Sequence, residues 1–163
     1  PYTRDFFRDL VQEIRHHLPD ASLGVDVLVG FPGETDAAFE NTCELLQQLP
    51  VTYLHVFPFS RRKGTAAEHM PDQVPPAVLK TRCRQIRSIG FNKKLAYYNR
   101  FHDKILEVVV ESVADAATGL MKGTSANYIP VNFTGHTKQL RTIVSVRVDR
   151  IDPSGSVFGT VVP

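Results

Sequence analysis

The run Gly30-Phe31-Pro32-Gly33-Glu34-Thr35 carries residue types that suit a ligand loop. Its two glycines let backbone pass close to a bound molecule, and Pro32 stiffens the turn between them. It is not a Gly-x-Gly-x-x-Gly fingerprint, so no dinucleotide is implied. A strand-to-helix turn capped by Thr35 accounts for the same residues. Further on, His55, Phe57 and Phe59 alternate, which places them on one side of a strand and beyond its end. His55 either meets a ligand or is a satisfied core histidine, and Phe57 and Phe59 suit packing. Ser60, Arg61 and Arg62 follow. Either arginine can pair bidentately with a phosphate, and an exposed basic loop is the plain alternative. Cys43 and Cys83 are the two cysteines, too few for a disulfide framework or a closed cysteine metal site. A reducing, cytoplasmic compartment is the expectation, and the Asn132-Phe133-Thr134 sequon is then a chance match.

These residues need elements to hold them. Phe7, Leu10, Val11, Ile14 and Leu18 share a helical face, Thr3 is a plausible cap and Pro19 a stop, so residues 4–18 read as a helix. Residues 23–29 read as a strand interrupted by Asp26, residues 36–49 as a second helix and residues 51–57 as a second strand. The order is a βαβ unit preceded by a helix. Two strands do not make a stable parallel sheet, so later segments supply strands or the chain is a piece of a larger barrel or sheet. The open end of parallel strands is the usual ligand site, which is where the 30–34 loop falls.

Residues 58–75 form an extended loop punctuated by Pro58, Gly64, Pro71 and Pro75. A helix follows to about Asn99, with Leu79, Cys83, Ile86, Leu95 and Tyr98 as its apolar stripe and Gly90 as an expected kink or break. Residues 105–113, 120–125, 128–133, 143–148 and 157–162 are β-rich, separated by turn clusters at 117–119, 134–136 and 153–155. This grammar describes a small antiparallel barrel, with a domain boundary near residue 101.

Composition agrees with a globular chain. Of 163 residues, 42% are hydrophobic and 22% charged, which excludes disorder. No apolar run is long enough for a transmembrane helix, and the start of the chain shows no signal-peptide pattern, so no membrane partner is expected. The net charge is +2, but its distribution is uneven. Residues 61–100 hold 10 Lys or Arg against 2 Asp or Glu, whereas residues 1–60 hold 3 against 9. A basic middle segment suits a polyanion partner, and a solvated helix face equally.

The ordered set Val27-Leu28-Val29-Gly30-Phe31-Pro32-Gly33-Glu34-Thr35, Tyr53-Leu54-His55-Val56-Phe57-Pro58-Phe59-Ser60, Gly64-Thr65, Met70 to Pro75 and Asn127-Tyr128-Ile129-Pro130-Val131 resembles the radical SAM methylthiotransferase family. The branch it is most similar to methylthiolates threonylcarbamoyladenosine next to the tRNA anticodon. The resemblance implies a C-terminal fragment: residues 1–100 as the end of an α/β partial (β/α) barrel, its fifth and sixth strands, with a basic connecting helix. Residues 101–163 are then a TRAM domain, a small all-β, OB-like antiparallel barrel. The family's Cys-x3-Cys-x2-Cys loop and second cysteine set are not in this sequence. The complete enzymes use S-adenosyl-L-methionine and two 4Fe-4S clusters; the fragment alone is expected to bind neither, to have no catalytic or metal residues and to be inactive.

On that resemblance Gly30, Phe31, Pro32, Gly33, Glu34, His55 and Phe57 are cofactor-binding candidates, with Glu34 also a possible anchor of its own loop. The looser radical SAM pattern Gly-x-Ile-x-Gly-x-x-Glu is met only in part, since Asp26 replaces its first glycine. Arg61, Arg62, Lys122, Asn127, Tyr128, Lys138 and Arg141 are RNA-binding candidates, with Phe133 and Arg147 beside them. Arg147 and Arg150 should face opposite sides of a strand unless a bulge intervenes. Implied partners are the tRNA anticodon stem-loop, the family's N-terminal domains and a second copy pairing edge strands. A ribosomal-protein methylthiotransferase and a non-catalytic RNA-binding module are the competing readings.

Overall fold

The computed structural model describes residues 2–111 and 118–163. Its chain divides into two compact units, Pro1–Lys93 and Lys94–Pro163. The division falls earlier than the boundary expected near 101, because Tyr97, Tyr98 and Phe101 are buried in the core of the second unit.

In the first unit, α1 (Arg4–His17) starts at Thr3, whose Oγ1 accepts from the Phe6 amide at 3.2 Å. β1 (Gly24–Val29) leads through the glycine loop to α2 (Asp36–Gln48), where Thr35 Oγ1 accepts from the Ala38 amide at 3.1 Å. β2 (Tyr53–Pro58) pairs with β1 in parallel, from Gly24 opposite Tyr53 to Val29 opposite Pro58. The strand starts are tied by Thr52, whose buried hydroxyl accepts from the Leu23 amide at 2.9 Å. α3 (Pro76–Asn99) begins in this unit and ends in the second.

The sheet is covered on one face. Val27, Val29 and Leu54 pack against Val11 of α1, Phe39, Cys43 and Leu46 of α2, and Cys83 and Ile86 of α3. Period-2 alternation sends the other side chains of the strands to the opposite face. α3 is unbroken at Gly90, contrary to expectation. Gly90 is buried, and a Cβ there would lie 3.0 Å from Leu54 Cβ. The missing side chain lets the helix approach β2; it does not end the helix.

The second unit is a closed barrel of β3 (Ile105–Val110), β4 (Met121–Ser125), β5 (Pro130–Thr134), β6 (Ile143–Ile151) and β7 (Val157–Val161) in the order β3-β4-β5-β7-β6. The expected all-antiparallel arrangement is corrected: β5 and β7 run parallel, Val131 opposite Val157. Directions cannot alternate around a ring with an odd number of strands, so a closed five-stranded barrel contains at least one parallel pair. The core holds Val108, Val110, Met121, Ile129, Val131, Phe133, Val146, Val148 and Val157. Gly159 lies where any Cβ would overlap the Arg147 carbonyl oxygen, which permits the tight β6–β7 crossing.

Expected strand ends shift in two places. Tyr128, expected to begin β5, has φ 62° and belongs to the turn before it. β6 continues past Val148 to Ile151 through a register shift between Val148 and Arg150. Val113 and Ala117, placed in a strand end and a turn from sequence, lie outside the described residues.

Candidate functional site

The uncovered face of the β1–β2 sheet gathers the first set of candidate residues. Parallel register puts Asp26 opposite His55 and Leu28 opposite Phe57, and all four are exposed. Along β2, Tyr53 meets His55 edge-on with ring centroids 4.5 Å apart, and His55 stacks on Phe57 at 6.0 Å and 16°. Beyond the strand ends, Phe31 and Phe59 meet edge to face at 5.4 Å. An apolar and aromatic strip thus carries one carboxylate and one imidazole side by side. Such a surface can take an aromatic or thioether-bearing molecule by stacking and place a polar group on it.

The glycine loop above this face is fixed from behind. Gly30 and Gly33 have φ of 80° and 83°, a region that favours glycine. The Gly30 amide donates to Glu34 Oε2 at 3.0 Å, and the Gly33 amide to the Asp72 carbonyl at 2.9 Å. A Cβ on Gly30 would overlap Leu79, so this glycine serves packing, whereas Gly33 faces open space. Glu34 is held at 2.6 Å by Arg82, whose other nitrogen reaches Asp36 at 2.6 Å. The same guanidinium donates to the Glu34 carbonyl at 2.9 Å and lies 5.2 Å from the centre of the Phe39 ring. Burial alone would lower the Arg82 pKa, but the hydrogen bonds it donates to Asp36 and Glu34 hold it above the ordinary value.

Sequence reading does not single out Arg82 from the other cations of the basic segment 61–100. The signal was present in the spacing: Leu79, Arg82, Cys83 and Ile86 fall on one helical face. Glu34 and Arg82 form the brace of the loop. Phe31 is exposed and Pro32 half-buried at the loop's tip.

Cys43 and Cys83 are buried, and burial pushes both thiols up, with Glu40 adding to the shift at Cys43. Among the described residues no three His, Cys, Asp or Glu side chains gather to hold a metal ion.

In the loop after β2, Arg61 donates from Nε to Gln73 at 3.1 Å and Arg62 is exposed. On α3, Lys80, Arg84, Arg87 and Phe91 recur at helical spacing and are all exposed. The three cations make no ion pair among the described residues.

The barrel of the second unit carries the other candidates. Tyr128 is 77% exposed at the β4–β5 turn, which suits a stacking residue. Asn127 beside it is tethered: its Oδ1 accepts from Ser125 Oγ at 2.6 Å and its carbonyl from Tyr97 at 3.2 Å. Lys122, Lys138 and Arg141 are exposed. Phe133 is 1% exposed in the core and has no face to offer a base. Arg147 pairs with Asp149 at 3.0 Å. The register shift at Asp149 puts Arg147 and Arg150 on the same, outer side, as the bulge alternative allows.

Comparison with known proteins gives the chain its relatives. It is 32% identical over 158 residues to a tRNA-2-methylthio-N(6)-dimethylallyladenosine synthase of Desulfitobacterium hafniense, covering 97% of the chain and 35% of that protein. It is 31% identical over 161 residues to the synthase of the same name in Acetivibrio thermocellus, covering 99% of the chain and 33% of that protein. It is 32% identical over 149 residues to the threonylcarbamoyladenosine tRNA methylthiotransferase MtaB of Bacillus subtilis, covering 90% of the chain and 33% of that protein. The chain therefore spans about a third of the length of the curated relatives it matches. No family model matches it.

Proposed function

We propose that this chain, which matches a C-terminal portion of the tRNA methylthiotransferases over nearly all its length, completes the cofactor chamber of such an enzyme and helps to grip its tRNA. The carrying observation is the uncovered sheet face with Asp26 beside His55 and the aromatic column Tyr53-His55-Phe57. Parallel sheets are covered on both faces, and a face this rich in polar and aromatic groups suits a barrel interior better than helix cover. In this reading β1 and β2 are two strands of a radical SAM barrel and the second unit is a TRAM domain.

S-adenosylmethionine fits the donor set: His55, Phe57, Phe31 and the open side of Gly33 would hold it. When bound in the complete enzyme it would supply radical chemistry. Here Phe57 and Phe31 exclude water, Asp26 and His55 orient polar groups, and the Glu34–Arg82 brace keeps the loop in place. An iron–sulfur cluster does not fit the described residues. Cluster ligation needs several thiolates, and both thiols here are buried, apart in sequence and biased toward the protonated form.

For tRNA, Lys80, Arg84 and Arg87 project from successive turns of α3, at about 1.5 Å of rise per residue, a ladder that can follow a phosphate backbone. Arg61, Arg62, Lys122, Tyr128, Lys138 and Arg141 add exposed cationic and stacking groups. The substrate is threonylcarbamoyladenosine. The stretches Leu54–Ser60 and Asn127–Phe133 support this choice; overall identity does not decide it, being 32% both to a dimethylallyladenosine synthase and to a threonylcarbamoyladenosine methylthiotransferase.

The test is expression of the complete reading frame in a bacterial strain lacking its own methylthiotransferases, with mass spectrometry of tRNA nucleosides. The expected product is 2-methylthio-threonylcarbamoyladenosine, reduced at least tenfold by His55→Ala or Phe57→Ala. A methylthiolated dimethylallyladenosine would overturn the substrate assignment. Full activity in both variants would remove the sheet face from the reaction.

A further inference from the structure

One row of side chains on the outside of the barrel joins the candidate Lys122 to three residues not yet given a role. Cross-strand register aligns Lys122 of β4 with Asn132 of β5, Asn132 with Phe158 of β7, and Phe158 with Arg150 of β6. Neighbouring strands lie about 4.8 Å apart, so the row runs roughly 14 Å across four strands. Residues next to these along each strand face the core: Met121, Val131 and Val157 are buried in it and Ile151 packs against it, so the row points out.

At one end the Arg150 guanidinium carbon sits 4.1 Å from the centre of the Phe158 ring. That contact seats the guanidinium over the ring face and restrains a flexible side chain. Arg150 is exposed and makes no ion pair among the described residues. Arg147, three residues earlier, is engaged by Asp149, which is itself held by Thr160 at 2.6 Å. Asp152, whose carboxyl is held below its usual range by Ser154 and Ser156 and less by Arg150, forms no ion pair with Arg150 among the described residues and is itself engaged by those two serines. Asn132 donates through Nδ2 to the Val157 carbonyl at 3.1 Å, which orients its amide. Its Oδ1 accepts no hydrogen bond among the described residues and can take one from a base edge. Lys122 closes the row with a mobile charge suited to a phosphate.

The geometry points to a nucleobase-stacking site on this barrel, in which an unpaired RNA base lies on the Arg150 guanidinium backed by Phe158, Asn132 Oδ1 accepts from its edge and Lys122 meets the adjoining phosphate. The site rests on the tRNA reading above and deepens it. Single-stranded RNA is recognised by stacking on aromatic rings and on arginine planes, combined with hydrogen bonds to base edges. A stripe of lysines would bind phosphate alone and would not need a ring beneath an arginine.

The test is binding of a fluorescently labelled anticodon stem-loop RNA to the full 163-residue chain across a salt series. Variants are Arg150→Lys, Arg150→Gln and Phe158→Leu, each checked for folding by its melting transition. Arg150→Lys keeps the charge and loses the plane, so it should weaken binding by roughly 5- to 100-fold with the salt slope unchanged. Phe158→Leu should weaken it similarly. If Arg150→Lys binds like the unaltered chain while Arg150→Gln weakens binding and flattens the slope, the arginine touches phosphate and the stacking site is refuted. If the unaltered chain binds and no variant changes affinity, the site is wrong while the tRNA reading stands. If the unaltered chain shows no salt-sensitive RNA binding, both fall.

Discussion

Replacing Arg82 by methionine should cost the first unit about 3 kcal/mol. The Arg82 and Glu34 side chains are 7% and 15% exposed and meet at 2.6 Å. Removing one partner of a buried ion pair costs roughly 3–5 kcal/mol, because the other charge is left in a poor solvent. Glu34 keeps some water, which places the loss at the lower end of that range. Asp36, the second partner, is 93% exposed, so its contact adds no more than about 0.5 kcal/mol. Methionine keeps the aliphatic stem, so the loss reports the guanidinium and not a cavity. At roughly 4–8 °C per kcal/mol for a domain of this size, the transition of the first unit should fall by about 12–24 °C. Calorimetry reads this directly. Hydrogen exchange adds a local measure, since the Gly30 amide is protected by Glu34 Oε2 and should exchange faster in the variant. A loss below about 1 kcal/mol, or an Asp36→Asn variant as unstable as Arg82→Met, would refute the brace.

Gly159→Ala places a methyl against the Arg147 carbonyl oxygen and should destabilise the barrel by about 3 kcal/mol in urea unfolding, at the upper end of overpacking costs. The Asp149 carboxyl is held below its usual range by the hydrogen bond from Thr160 and then by Arg147. Its stabilising effect is therefore present above its unfolded-state pKa and is lost as pH falls through the folded value. Melting temperature followed from neutral into acid should decline less steeply in Asp149→Asn than in the unaltered chain; identical slopes would remove Asp149 from the acid response. Changing Lys80, Arg84 and Arg87 together to glutamine should reduce the slope of log affinity against log salt for tRNA by about 2, read by filter binding. An unchanged slope would mean that this helix face does not touch phosphate.

Much of the first unit was legible because local rules act there without competition. Thr3 and Thr35 cap helices where their side chains and positions say they should, and the parallel pairing follows from a helix joining two strands. Arg82 was not singled out because arginine is usually solvated; only its place on the apolar face of α3 betrays its burial. Gly90 was misjudged because a glycine's local meaning is flexibility, whereas here its value is the nearness of Leu54, a tertiary fact. In the barrel, five strands were readable but the parallel pair was not drawn from them, although an odd closed ring requires one. Of the RNA-binding candidates, Phe133 was lost to the core because alternation gives two faces without saying which is inside. The row from Lys122 to Arg150 joins four strands that are scattered in sequence, so only pairing register could bring it into view.

The irregularity at Asp149 gives β6 a spare link. Side chains before and after it keep an inside-outside order as though that residue were not counted: Val148 points in, Arg150 out and Ile151 toward Val157. Deleting Asp149 would straighten the strand and cost the Thr160 and Arg147 contacts, yet every remaining side chain would stay on its own face. Deleting Ser145 would turn half of β6 inside out. A one-residue deletion in this strand is therefore tolerated by the barrel's inside-outside order at Asp149 alone, at the cost of those two contacts.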